Sequence, residues 1–263
     1  MQIVGYEPTA RGPALLVREG EPGSGAAGEA GVDRRPLEPG DQLELPLGRR
    51  HCAGSIDRET GRHVPCDRPG TPYCEAHAST WVCARCTGTC LKDEMDCFEP
   101  HAVYIAAFAP DTVKVGVTRL DRLDTRLREQ GADRGAHVHT VSNGRIAREL
   151  EAEIATELVD RVRIDRKIDG LAAAVDEARW ESVLAEFDVI DRWTFDYGVD
   201  LDRRPVVETI ATGRIVGCKG RLLVLERGGT TYAVDLRELV GHRVRTDTTD
   251  RHLQSSLGSF GGA

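Results

Sequence analysis

Seven of the eight cysteines in this 263-residue chain fall in one stretch, Cys52 to Cys97, and His77 sits among them. They read Cys52-x13-Cys66-x7-Cys74-x2-His77-x5-Cys83-x2-Cys86-x3-Cys90-x6-Cys97. Eight soft donors make two complete four-ligand shells. Zn²⁺ settles into tetrahedral Cys/His sites, often built on a C-x2-C or C-x2-H turn. This stretch holds one of each, Cys83-x2-Cys86 and Cys74-x2-His77. Disulfides would suit a secreted chain, but no apolar signal stretch follows Met1. A cysteine cluster in a cytosolic chain more often binds metal. Two zinc ions and a cytoplasmic location are therefore expected.

The simplest pairing is sequential: Cys52, Cys66, Cys74 and His77 on one ion, Cys83, Cys86, Cys90 and Cys97 on the other. A crossed arrangement uses the same eight residues, and His51 and His63 are spare donors. Full shells leave no open coordination position, so both ions are expected to be structural. Cys218 lies far from the cluster and reads as a small apolar strand residue.

The chain has no run of eighteen apolar residues, so no membrane-spanning segment is expected. The net charge of −8 argues, taken alone, against a nucleic-acid partner. Charge is not uniform, however. From Lys114 to Asp169 twelve Lys and Arg stand against eleven Asp and Glu.

Residues 1–50 contain β-like runs at Gln2–Tyr6, Ala14–Arg18 and Gln42–Leu47, with a mobile loop expected over 20–40 because Gly, Ala, Glu and Pro there bury little. Residues 51–100 form the cysteine-rich zinc module and 101–200 an α/β module. Residues 201–245 return to short strands with Gly turns: Val206–Thr212, Arg214–Cys218, Leu222–Glu226 and Thr230–Leu236. That segment is expected to join the N-terminal strands in a small β-barrel-like domain. The polar tail 246–263 is expected to be disordered.

In the middle module Val103–Phe108 and Val113–Thr118 flank Ala109-Pro110-Asp111-Thr112, a hairpin signal. Lys114 and Gly116 alternate with Val113, Val115 and Val117, which puts them on an open face. Thr118 and Asp121 form a capping-box pattern before a helix whose Leu120, Leu123 and Leu127 face the core and whose Gly131 ends it. Beside them runs a stripe of Arg119, Arg122 and Arg126. A strand over Ala136–Val141 follows, then a helix over roughly Arg145–Val162, capped by Ser142 or Asn143. Its apolar face is Ile146, Ala147, Leu150, Ile154 and Leu158, with Glu151 at the edge. Asp169–Trp193 reads as a helix pair or one long helix. Trp180, Trp193, Phe195 and Tyr197 are read as packing aromatics more than base-stacking ones.

This β-β-α-β-α order, over about Ala102 to Val162, resembles the GIY-YIG nuclease superfamily. The residues that carry the resemblance are Val103-Tyr104-Ile105 on the first strand, Lys114-Val115-Gly116 on the second, Arg126 on the first helix and Glu151 on the second. Ala102 stands where the first motif has Gly, and Lys114 where the second has Tyr. The whole chain also resembles a family known only as a domain of unknown function, through the cysteine module, the Lys-Val-Gly-Val-Thr strand, the helix end Glu129 to Ala132 and the Gly-rich terminal β segment.

What the nuclease resemblance implies is phosphodiester hydrolysis. Tyr104 would handle the proton of the attacking water, Arg126 would hold the phosphate, Glu151 would bind Mg²⁺, and Lys114 would add a point charge. The expected protein is thus α+β: a GIY-YIG-like module, a small zinc module and a small β-barrel-like domain. Its expected role is action on DNA or RNA as a metal-dependent endonuclease. The alternative is a non-catalytic zinc-containing module that binds nucleic acid or protein.

Overall fold

The computed structural model describes residues 1–9, 12–19, 31–57, 60–78 and 98–245. Cys83, Cys86, Cys90, Cys97 and the tail from Thr246 lie outside the described residues. The chain divides into two compact units, Met1–Ala78 with Pro205–Ala263, and Ser79–Arg204.

In chain order the strands are β1 (Gln2–Thr9), β2 (Gly12–Arg18), β3 (Asp33–Pro36), β4 (Gln42–Glu44), β5 (Leu47–Arg50), β6 (Ser55–Ile56), β7 (His63–Val64), β8 (His101–Phe108), β9 (Thr112–Arg119), β10 (Arg134–Val141), β11 (Asp191–Thr194), β12 (Val206–Val207), β13 (Thr212–Lys219), β14 (Leu222–Arg227), β15 (Thr230–Asp235) and β16 (His242–Val244). The helices are α1 (Leu123–Gln130), α2 (Gly144–Ile154), α3 (Ile164–Asp169), α4 (Glu177–Leu184) and α5 (Leu236–Leu239). The result is a mixed α+β protein in which strands predominate.

In the first unit β1 pairs antiparallel with both β2 and β16, giving a sheet in the order β3-β2-β1-β16-β5. A second sheet runs β12-β15-β14-β13-β4. One core lies between them, with Ile3, Leu15 and Val17 from the first sheet and Ile215, Leu223 and Val234 from the second. Cys218 belongs to this core, and burial pushes its thiol up to about 12.

Among the described residues no barrel closes. A barrel needs strands long enough to carry its tilt and stagger around the ring. Here the sheet edges are β3, β5, β4 and β12, of four, four, three and two residues. The expected loop over 20–40 also needs correction, because Asp33–Pro36 is a strand paired with β2. Leu37, which follows it, is fully buried and donates its amide to Pro13 O at 2.9 Å. Of the expected run Val206–Thr212, only Val206–Val207 forms β12, parallel to β15, and Thr212 opens β13.

The second unit carries a sheet in the order β11-β10-β8-β9. β8 is central and buried along its whole length. Its register with β9 pairs Tyr104 with Gly116 and Ala106 with Lys114. Val103, Ile105, Val113 and Val115 face one core with Ala147 of α2 and Trp180 and Leu184 of α4. Tyr104, Ala106 and Phe108 face another with Leu123 and Leu127 of α1.

Several local expectations change. Thr118 makes no capping box: it is in β9, opposite Ala102, and a 3₁₀ turn at Leu120–Arg122 precedes α1 without a side-chain cap. Leu120 on that turn is 38% exposed instead of core-facing. Gly131 ends α1 at φ +70°, and Asn143 caps α2 by accepting from Ile146 N at 3.0 Å. Ile146 is 39% exposed, so the apolar stripe of α2 begins at Ala147.

α2 stops at Ile154, well short of Val162, because Val159 forms a parallel bridge with Lys114 and accepts from Val115 N at 3.0 Å. The region Asp169–Trp193 is not helical throughout. It contains the end of α3, a 3₁₀ turn at Gly170–Ala172, α4, and the start of β11, which pairs with β10. Trp180 and Phe195 are core residues.

Candidate metal centre and candidate phosphate site

Cys52 follows β5 and Cys66 follows β7, while Cys74 and His77 share one turn. In that turn His77 N and Ala78 N donate to Cys74 O at 2.8 and 2.7 Å. The two-stranded β6–β7 ribbon connects the first two cysteines. Backbone bonds draw these segments together, Cys52 N to Arg68 O at 2.8 Å and Ala53 N to Pro72 O at 2.9 Å. The ligand atoms of Cys52, Cys66, Cys74 and His77 all lie within 4.8 Å of one another.

The separations match a coordination shell. His77 Nδ1 stands 3.4 Å from Cys52 Sγ and 3.3 Å from Cys74 Sγ, and Cys66 Sγ stands 3.9 Å from Cys74 Sγ. A tetrahedron with metal–sulfur bonds of about 2.3 Å and a metal–nitrogen bond of about 2.0 Å has edges of roughly 3.5–3.8 Å. Burial raises the Cys52 thiol, and its Sγ accepts from Cys74 N at 3.2 Å and Gly54 N at 3.4 Å, which partly offset that by favouring charge on the sulfur. Desolvation opposes ionisation of Cys74. Hydrogen bonds with Cys52, His77, the Ala76 backbone and Cys66 outweigh it and pull its thiol down to about 6. A thiolate is the form a metal takes. The four residues can therefore hold one metal ion, and all described cysteines are free of disulfides.

His51 and His63 are not spare ligands. His51 Nδ1 lies 2.9 Å from Cys66 O, and its Nε2 accepts from Arg243 Nε at 3.1 Å. His63 Nε2 donates to Ala53 O, and burial holds its imidazole below the ordinary histidine range. Both rings brace the loops that carry the cysteines.

The second constellation lies in the other unit. A Cβ on Gly116 would stand 2.5 Å from Tyr104 Oη and 2.6 Å from Cζ, so the phenol ring lies over a position only glycine can fill without a shift. Gln130, the last residue of α1, donates its side-chain amide to Tyr104 Oη. Its own carbonyl accepts from Lys167 Nζ at 2.7 Å. Burial raises the Tyr104 pKa, opposed by the charge of Arg126 and by hydrogen bonds with Gln130 and Arg126. The hydroxyl keeps its proton at neutral pH.

Lys114 shares this face but is not on an open one. It is 8% exposed, and its Nζ donates to Asp160 O at 2.9 Å from the segment that runs beside β9. Burial, with Arg126 acting in the same direction and Glu151 and Asp160 against it, pulls its pKa down to about 8.

Arg126 is half exposed and pairs with Glu129 at 3.3 Å. Arg122 reaches the same carboxylate at 2.8 Å, and Arg119 reaches Glu99 at 2.8 Å, so the arginine stripe meets acidic groups along its length. The Glu151 side chain is 14% exposed and bonds Arg148 at 2.5 Å. Its charge acts on both Tyr104 and Lys114, and so does that of Arg126. Tyr104, Lys114, Arg126 and Glu151 thus stand in one electrostatic neighbourhood. Gln130 was missed as a contact of the phenol. The signal was its i+4 spacing from Arg126, which places both on one stripe of α1.

Two expectations follow from this packing. Gly116→Ala forces a methyl into the Tyr104 ring between two paired strands, and should lower stability by about 1–3 kcal/mol in chemical denaturation. Lys114→Met removes a buried cation. Between pH 8 and the ordinary 10.5 the unfolded chain holds a proton that the folded chain lacks, so wild-type stability rises with pH across that window. Below pH 8 burying the charge is a constant penalty of up to about 3 kcal/mol. Lys114→Met should therefore raise stability near pH 7 and flatten the rise above pH 8, as read from denaturation curves at several pH values.

The fold and sites define a mixed α+β protein with a Cys₃His centre able to hold a metal ion. The chain belongs to the family described as protein of unknown function (DUF2797), which matches residues 40–192. That stretch spans both constellations. No curated protein and no solved structure matches the chain. Among the described residues no helix is long and apolar enough to cross a membrane.

Proposed function

We propose that this is a zinc-stabilised protein whose Ser79–Arg204 unit is a GIY-YIG-like module acting on the phosphodiester backbone of DNA or RNA. The observation that carries the reading is the joint placement of Tyr104, Lys114, Arg126 and Glu151. The reading is supported by the register that sets Tyr104 opposite Gly116 and Lys114 on the same face, and by the charges of Arg126 and Glu151, which act on both Tyr104 and Lys114. A buried lysine kept at a cost in stability supports a role in binding an anion.

Arg126 holds the phosphate, since a half-exposed guanidinium can exchange Glu129 for it. Lys114 adds positive charge from below. Tyr104, protonated and fixed by Gln130, donates a hydrogen bond towards the reacting oxygens. Glu151 is a mostly buried carboxylate that would exchange its Arg148 partner for Mg²⁺, an ion that takes one or two carboxylates and keeps several waters. A cation held there would supply Lewis-acid stabilisation of the phosphate. In the Cys₃His centre zinc fits the sulfur-rich donor set and has a structural role.

A second reading, binding without cleavage, draws on one observation: Tyr104 is 1% exposed, with its hydroxyl under Gln130. The test is incubation with labelled single- and double-stranded DNA and RNA, with Mg²⁺ or Mn²⁺ and with chelator. Cleavage that needs the added divalent ion supports the first reading. Retention of nucleic acid without cleavage selects the second, and neither binding nor cleavage overturns both.

A further inference from the structure

The first unit has a cleft of about 410 Å³ lined by Arg49, His51, Asp67 and Arg243. It uses none of the residues assigned to the phosphate site of the other unit. We propose that this cleft is an anion-binding site for a phosphate group, with Arg49 and Arg243 as its two cationic arms.

The geometry is built up from the buried histidine. His51 is 3% exposed. An arginine Nε always carries hydrogen, so the 3.1 Å contact from Arg243 Nε makes His51 Nε2 an acceptor. The ring proton then sits on Nδ1 and donates to Cys66 O at 2.9 Å and Cys52 O at 3.1 Å. His51 is thereby committed on both nitrogens, and it holds Arg243 by the one donor that does not belong to the terminal fork.

The fork remains available. Among the described residues its carboxylate contact is Asp67, at 3.5 Å from Nη2, and Asp67 is 70% exposed. That is a long, solvated pair which a bound oxyanion can displace. Arg49, on β5, reaches the cleft from the strand that pairs with β16, where Arg243 lies. Two guanidinium groups against one carboxylate leave the lining cationic in a chain of net charge −8. Planar guanidinium groups match the oxygen spacing of phosphate, and a fixed arginine loses little freedom on binding. Since His51 hangs from the carbonyls of two cysteines of the metal centre, the order of Arg243 depends on that centre.

The experiment follows the Arg243 Nε–H and His51 ring signals by NMR in the zinc-loaded full chain. Inorganic phosphate is the first titrant, and a short oligonucleotide carrying no terminal phosphate is the second. Saturable shifts of both signals are expected. Arg49→Ala and Arg243→Lys should each weaken binding about 10-fold, while Arg35→Ala on the exposed β3 leaves it unchanged. Arg49 is exposed, so its variant should fold and keep the test valid. Shifts with phosphate alone define a small-phosphate site, and shifts with the oligonucleotide define a contact to a nucleic-acid backbone. The proposal is overturned if neither titrant moves the two signals, or if Arg35→Ala weakens binding as much as Arg49→Ala, since binding would then follow net charge alone.

Discussion

The Cys74→Ser variant is expected to lose one equivalent of metal and the folded order of Cys52–Ala78. Cys74 is the hinge of the centre. Its sulfur faces Cys66 and His77, its amide bonds the Cys52 sulfur, and its carbonyl accepts from both His77 and Ala78. Serine keeps the backbone but offers a hard, protonated hydroxyl where Zn²⁺ takes a thiolate. Structural zinc sites in small peptides contribute about 10–16 kcal/mol of apparent binding energy at neutral pH, and that energy is folding energy. Even a fraction of it rivals the roughly 5–15 kcal/mol that holds a domain folded. Elemental analysis should show the loss of one zinc, and amide exchange should show lost protection from Cys52 to Ala78. Strong chelation of the wild type should do the same. Unchanged metal content and unchanged exchange in Cys74→Ser would remove this centre from the account.

The second large effect concerns Glu151. Glu151→Gln keeps the shape of the side chain and removes its charge. If the carboxylate holds the divalent ion, cleavage should fall by roughly 100-fold or more, the scale on which losing one charge-stabilising group acts. Stability should fall by about 1–3 kcal/mol, because the change takes the charged partner from Arg148 in a mostly buried i,i+3 pair. A further consequence follows from Lys114. Glu151 is one of the groups that hold the Lys114 charge in place. Without it the lysine pKa falls further, and the rise of stability with pH should begin below pH 8. Zinc content should stay the same. Full cleavage by Glu151→Gln, or equal loss of zinc and activity, would show that the carboxylate does not serve a divalent ion.

Much of the local structure was legible in the residues. Pro110-Asp111 between two apolar runs marks the β8–β9 hairpin, Gly131 marks the end of α1, and Asn143 marks the start of α2. These signals act between residues a few positions apart. The capping pattern at Thr118 failed for the opposite reason: strand pairing with Ala102 outweighed a local hydrogen bond. α2 ended early because a backbone partner 45 residues upstream in sequence, Lys114, claimed Val159. The barrel expectation failed because strand count and Gly spacing carry no information about which edges meet.

The residues alone supply the groups available for chemistry: eight Cys and His donors with two knuckle spacings, two apolar strands around a proline turn, and a tyrosine, lysine, arginine and glutamate in a set order. Covalent spacing places such groups within a turn or two of one another, and the residue types limit what they can bind. Folding selects which of these groups meet. Spacing left sequential and crossed metal pairings open, and the fold brings Cys52, Cys66, Cys74 and His77 within 4.8 Å. It also turned His51 from a spare ligand into the brace of Arg243, buried Lys114 where an open face was expected, and laid Gln130 over Tyr104. These last three contacts join residues 26 or more positions apart, where chain connectivity no longer constrains distance and the packing of the whole core sets it.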